Sequence, residues 1–368
     1  MRMAAFVLRM LFLGAIASVS TLVYGQQDSS KQFYDKSLHA SSRGLMHGYA
    51  KENGGLEGLT GIPFTQTACN GCHVRSCDTC HAAGDATKMS YSIATARSEA
   101  ACYKCHNLKS RKAAIENPGS PDSDVHFAKG MKCMQCHTAR EIHGDGVEYA
   151  SLRAPGAMDA RCENCHQNVQ CASSKIHGGK LDCNACHARD VNSCYNCHFE
   201  TRIRENKSVS LPLTDTVFLV NYAGKVTTAT LHTFIYQNRT LIAFAPFFSH
   251  SVTRKPRQCG ECHGTSLLAA MQSGSLKLVT WDGKELKNQR GVVPVIDGYN
   301  WNFPFLNYEK GQWVAAPEAA PPLVNYSGYS SPMTAAQLEK MARKQTTTPA
   351  RGRNSSEMAG KRHQLGGK

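Results

Sequence analysis

Long apolar runs are almost missing from this chain. Only Met10 to Tyr24 is continuous enough to enter a bilayer, and Arg2 and Arg9 stand in front of it. That arrangement reads as a secretion signal, residues 1–25, with Val23-Tyr24-Gly25 as a small-residue cleavage site; a retained N-terminal anchor is the alternative. Leu241 to Phe248 is apolar but far too short to span. No Cys stands beside the cleavage site, which excludes a lipid anchor there. The mature chain is expected to be periplasmic or secreted, with no transmembrane span.

Acidic side chains are also in short supply. Against 42 Lys and Arg there are 28 Asp and Glu, giving a formal charge of +14. Such an excess ordinarily points to nucleic acid or an anionic surface. Aromatic residues are only 8% of the chain and apolar residues 41%, which is little with which to fill a core of this length. A last absence excludes more than the others: no Cys-x-x-Cys pair lacks a His at the next position.

Eight such motifs are present: Cys69-Cys72-His73, Cys77-Cys80-His81, Cys102-Cys105-His106, Cys133-Cys136-His137, Cys162-Cys165-His166, Cys183-Cys186-His187, Cys194-Cys197-His198 and Cys259-Cys262-His263. Zinc sites use Cys-x-x-Cys pairs without requiring the His. His follows by chance about one time in twenty, so eight in eight is not accidental. The pattern is the attachment signature of c-type haem: two thiols add across the vinyl groups and the His lies under the iron. Eight covalently attached haem c groups are expected.

Removing the signal leaves about 43 residues per haem, too few to wrap each one in its own apolar shell. The haems are therefore expected to pack on one another and to form the core. Eight haems bring roughly 16 propionate charges, partly offset by ferric iron. The positive excess then reads as propionate partners and solvated surface, and no nucleic-acid partner is expected.

Seven motifs crowd between Cys69 and His198, in a region drawn as 26–210. Within it a unit repeats. Cys102–His106 is followed by His126, Gly130 and Cys133–His137; Cys162–His166 is followed by His177, Gly178 and Cys183–His187. A β-rich segment, 211–315, carries the eighth motif. In it Val217–Val220 and Leu241–Phe244 read as strands about an Asn238-Arg239 turn, Ser275 to Trp281 as a hairpin arm and Val292 to Ile296 as a strand. Tyr299, Trp301, Phe303 and Phe305 alternate with period two, as an aromatic strand covering the eighth haem or as an interaction edge. Residues 316–368 read as a Pro-rich linker, a short helix at Ala335 to Arg343 and a basic disordered tail. The fold class expected is mainly α and irregular, a haem-organised multihaem cytochrome c fold with a small β-rich insert around the eighth haem.

Iron in haem takes two axial ligands. The motif histidines supply one each, so a fully bis-His protein needs eight more. Eight remain: His39, His47, His126, His143, His177, His232, His250 and His363. The first seven are taken as distal ligands. His363 lies in the basic tail, so one iron is left open or capped by another group. Cys171 is the odd thiol, read as a free thiol, a point of intermolecular bonding or a neighbour of the unusual haem.

The run from Ala68 to Glu200, with the eighth motif beyond it, resembles the octahaem cytochrome c group, which includes octahaem tetrathionate reductase and hydroxylamine oxidoreductase-like enzymes. Cys69–His73 coupled to Cys77–His81, the stretch His126 to His137, His143-Gly144-Asp145-Gly146 and Cys183 to His198 carry the likeness. The resemblance implies parallel and perpendicular haem pairs, with one haem lacking a distal His and doing the chemistry, capped by Lys in the tetrathionate reductase. This chain is short for the group. No specific Lys can be aligned among Lys104, Lys109, Lys112, Lys129 and Lys132, and no cross-linking Tyr is identifiable, so no catalytic residue is carried over.

Two functions follow. The first is electron transfer between a donor and an acceptor protein. The second is a terminal oxidoreductase of a small nitrogen or sulfur oxyanion (tetrathionate, nitrite, hydroxylamine) at the open haem. A third arrangement, a homo-oligomeric haem filament, would use the aromatic segment as its interface.

Overall fold

The computed structural model describes residues 33–344 except Cys72, Arg75, 85–87, 107–122, Asn168, Gln170, Cys171 and Asn206. The signal segment, Cys72, Cys171 and the tail with His363 lie outside the described residues.

Between Thr216 and Pro246 the chain is rich in β-branched and aromatic residues, which suit a pleated surface packed on both faces. It forms an eight-stranded sheet. In chain order the strands are β1 (Cys194–His198), β2 (Leu211–Pro212), β3 (Thr216–Tyr222), β4 (Lys225–Tyr236), β5 (Arg239–Pro246), β6 (Gly291–Pro294), β7 (Leu323–Tyr326) and β8 (Ser330–Ser331). Strand β4 is the hub. It runs antiparallel to β3 and β5 and parallel to β1. Parallel pairs β6–β3 and β7–β5 extend the sheet on either side. The β3–β4 and β4–β5 connections are two-residue turns with both residues at positive φ, Ala223-Gly224 and Gln237-Asn238. That geometry matches the twist of a hairpin.

This sheet overturns the expected fold class. Helix accounts for 30% and strand for 24% of the chain, and the sheet curls into a mixed half-barrel. The protein is not a mainly α and irregular, haem-organised fold with a small β insert. It has a core of its own. Phe218, Leu231, Ile242, Phe244 and Val293 are fully buried in one apolar cluster that also takes in Leu268, Leu338 and Met341 from two helices, Ser266–Gln272 and Ala335–Ala342.

The aromatic alternation is corrected too. Residues 299–305 form no strand, and Trp301, Phe303 and Phe305 are buried against the sheet. Trp301 packs 5.1 Å from Phe244, and Phe303 meets Tyr195 edge-on at 5.7 Å. Aromatic edges find more buried area there than at an exposed interface.

The segment before the sheet is different in kind. Its described residues from 33 to 180 are short helical turns, one antiparallel pair of two-residue strands (Ala82–Ala83 with Ser90–Tyr91) and irregular chain. Among those described residues the buried apolar side chains are few: Tyr49, Ala50, Leu59, Phe64, Ala101 and Ala157.

Candidate cofactor-binding site

Most motifs are built as one helical turn. The His amide donates to the carbonyl of the first Cys in His81 (2.8 Å), His106 (2.9 Å), His137 (3.0 Å), His166 (2.9 Å) and His263 (2.8 Å). Cys183–His187 is itself a helix, with Asp182 accepting from the Asn184 amide at its start. In such a turn positions i, i+3 and i+4 share one face, so two thiols and an imidazole converge. The seventh motif reaches the same end by another route. It lies in β1, where Asn196 at φ 55° breaks the register between Cys194 and Cys197. The bulge returns both thiols to the half-buried side while Tyr195 and Asn196 face the core. Asn196 is held there by the Leu306 amide (2.9 Å), the Leu306 carbonyl (2.5 Å) and Thr233 Oγ1 (2.6 Å).

Five motif histidines each face one non-motif histidine. The ring centres are 6.3 Å apart for His106 and His39, 6.0 Å for His81 and His143, 6.0 Å for His166 and His126, 6.3 Å for His137 and His250, and 6.2 Å for His263 and His177. Two metal–imidazole bonds of about 2 Å, plus about 1.1 Å from each nitrogen to its ring centre, come to about 6.2 Å. The pairs therefore leave the separation that one axially ligated iron requires. Burial pushes His39, His143 and His263 below the ordinary imidazole value, towards the neutral form that binds metal. Among the described residues no group of three His, Cys, Asp or Glu side chains is placed to hold a metal ion by itself. Burial pushes the Cys197 and Cys262 thiols up to about 11, whereas the neighbouring Cys102 and Cys162 thiols bring Cys133 and Cys183 down to about 6 and about 7.

Second partners fix the rings. His187 Nδ1 lies 2.8 Å from the Thr253 carbonyl and His263 Nδ1 3.2 Å from that of Lys340. An Nδ1–H donated to a carbonyl leaves Nε2 free for a metal. His198 Nδ1 meets Thr201 Oγ1 at 2.8 Å. Two histidines have carboxylates instead: His137 with Glu141 at 2.7 Å and His126 with Asp124 at 3.2 Å.

The motifs also form a line. Cys80 neighbours Cys105, Cys102 neighbours Cys133, Cys136 neighbours Cys165, Cys162 neighbours Cys183, and Cys186 neighbours Cys262. Motifs two, three, four, five, six and eight are thus joined in order. The pairs Cys102–Cys133 and Cys162–Cys183 each join the two motifs of one repeat unit. The first motif enters through Val74, whose amide donates to the His39 carbonyl at 2.7 Å. Its Cys69 also packs against the cluster of Tyr49, Phe64 and Phe199, the last of which follows His198 of the seventh motif.

Apolar exposure follows the motifs. Tyr91 (64%), Ile93 (67%), Val169 (61%) and Ile176 (65%) stand near motif or paired histidines. Among the described residues no large apolar side chain is exposed between Ile203 and Leu323. The sheet covers most of its own apolar surface, with Leu323 and Val324 exposed on β7, and the segment before it exposes more large apolar side chains.

Of the seven proposed distal histidines, the structure sets His39, His126, His143, His177 and His250 opposite motif histidines. His47 stacks on Tyr329 (5.7 Å), and its Nδ1 accepts from Asn53, so the neutral ring carries its proton on Nε2. His232 places Nε2 3.2 Å from the Asn192 carbonyl. On β4 it pairs with Cys194 and shares a face with Phe234 and Tyr236, which pack beside Cys69. Sequence reading missed Glu141 and Asp124, whose only signal is their spacing of four and two residues from His137 and His126. It also missed Arg153, which lies over Phe248 (4.8 Å), two residues from His250. No carboxylate among the described residues pairs with that guanidinium, and burial lowers it to about 10. A buried cation of this kind suits a carboxylate from outside the chain.

No protein family, curated protein or solved structure matches this chain. Among the described residues no helix is long and apolar enough to cross a membrane.

Proposed function

We propose that the chain is an octahaem c-type cytochrome that carries electrons outside the cytoplasm between a donor and an acceptor protein. The observation that carries this reading is the set of five histidine pairs with ring centres 6.0–6.3 Å apart, each joining a motif His to a non-motif His. Haem supplies a one-electron iron couple when bound. The residues do the rest. The cysteines of each motif would hold the haem covalently, the five paired imidazoles would bind iron from two histidines each, and Arg153 would meet a haem carboxylate. Iron held by two histidines would favour an electron carrier, because no position would be left for substrate. The line of neighbouring thiols favours transfer over storage at one site. The test is covalent haem content with low-temperature EPR of the oxidised protein. Eight haems per chain with at least five low-spin centres is the expected result. Metal without covalent haem would sink the reading.

A second reading rests on His198, whose ring faces Tyr308 (6.4 Å, tilted) and whose Nε2 lies 3.5 Å from Glu200. A non-imidazole neighbour there favours an oxidoreductase of a small nitrogen or sulfur oxyanion at the seventh motif. Carbon monoxide binding by one haem in eight after dithionite reduction, with turnover of tetrathionate, nitrite or hydroxylamine, would support it.

A further inference from the structure

We propose that Glu141, and more weakly Asp124, lower the reduction potential of the two central irons of the motif line, dividing the array into two electron pools. The inference rests on the haem reading above and extends it.

Glu141 is 2% exposed and its one ionic partner among the described residues is His137. Its other acceptor sites are taken by the Ala160 amide (2.8 Å) and the Asp159 amide. The nearby Arg140 is engaged with Asp145 and Asp159 rather than with Glu141. Glu141 thus keeps an unneutralised negative charge 2.7 Å from His137 Nδ1 and cannot swing away. A carboxylate drawing on Nδ1–H enriches Nε2 in electron density and so favours ferric over ferrous iron. Asp124 does the same for His126 at 3.2 Å, but also accepts from the amides of His126, Phe127 and Val252. Its contact with the imidazole is longer, and it accepts from three amides where Glu141 accepts from two, so its effect is smaller. At His187 and His263 the acceptors are the neutral carbonyl oxygens of Thr253 and Lys340, which form hydrogen bonds about half as strong as those of ions.

The two carboxylate-backed sites are neighbours. His137 belongs to motif four and His126 faces His166 of motif five; Cys136 and Cys165 adjoin. They sit in the middle of the line from motif two to motif eight. Electrons therefore settle on either flank and cross the centre uphill.

Spectroelectrochemistry of the haem-loaded protein tests this. The wild type should show a low-potential component that includes the haems of motifs four and five, about one-quarter of the haem absorbance. In Glu141→Gln half of that component should move upward. A tenfold fall in the ferric to ferrous ratio at fixed potential corresponds to about 59 mV for one electron. Asp124→Asn should move the other half by less. If the Gln variant does not accumulate, the wild-type amplitudes and Asp124→Asn decide the matter alone. Full haem content with unchanged potentials in the variants overturns this inference and leaves the haem reading standing. Absence of covalent haem overturns both.

Discussion

At the scale of single residues, the eight Cys-x-x-Cys-His strings were legible and the partners of their histidines were not. A string of that spacing is read from the sequence alone, because its residues are contiguous. Which distal histidine meets which motif depends on the fold: His250 reaches back to His137 across more than a hundred residues, whereas His143 serves His81. That last pair gives a direct expectation. His143→Ala should remove one axial ligand and leave the chain's other four pairs untouched. EPR should then show one haem in eight converted from low to high spin, and the reduced variant should bind one equivalent of carbon monoxide. An unchanged spectrum would mean that His143 is not a ligand. Asn196 is the opposite case, a residue whose role no pattern announces. Its side chain satisfies both backbone groups of Leu306 while its own φ is 55°. Asn196→Ala should strand two buried groups and add left-handed strain, costing about 4 kcal/mol. Asn196→Gly should cost about 1 kcal/mol less, since glycine accepts that φ. Denaturant midpoints of the three proteins would show the order.

At the scale of elements, the sequence announced strands and concealed the sheet. Val217–Val220 and Leu241–Phe244 were readable because β-branched and aromatic residues crowd there. The turn was displaced by one residue, since Gln237 rather than Arg239 takes the positive φ beside Asn238. The size of the sheet was not readable, because β1 is made of a haem motif whose residues carry no strand signature. Parallel partners β6 and β7 arrive from tens of residues away, and register of that kind has no local signal. The aromatic alternation at 299–305 was real, but period two says which residues share a side and not what they face. Phe244 shows where that stripe goes. It is fully buried among Phe218, Trp301 and Tyr326. Phe244→Ala should cost about 3–5 kcal/mol by opening a cavity in this cluster. A variant whose unfolding midpoint matches the wild type would show that the aromatic cluster is not the stabilising core.

At the scale of the whole molecule, two kinds of interior meet along one chain. The sheet buries most of its apolar surface, Leu323 and Val324 of β7 apart, whereas the segment before residue 181 leaves more large apolar side chains exposed. The same division explains the charge. A formal +14 is far from neutral for a chain of this composition, and net charge of one sign works against a compact state. With eight haems bound, about 16 propionate charges oppose it and eight ferric irons return about half of that. The oxidised protein should therefore remain cationic, near +6, and reduction of all eight irons should take away about eight further charges. The sum then crosses zero. In native electrophoresis at pH 7 the oxidised protein should move towards the cathode, and the dithionite-reduced protein should stall or reverse. Loss of Arg2 and Arg9 with the signal would push both states further towards the anode without altering the difference between them. A mobility independent of redox state would contradict eight one-electron centres, because no other groups in this chain could change its charge by that amount at constant pH.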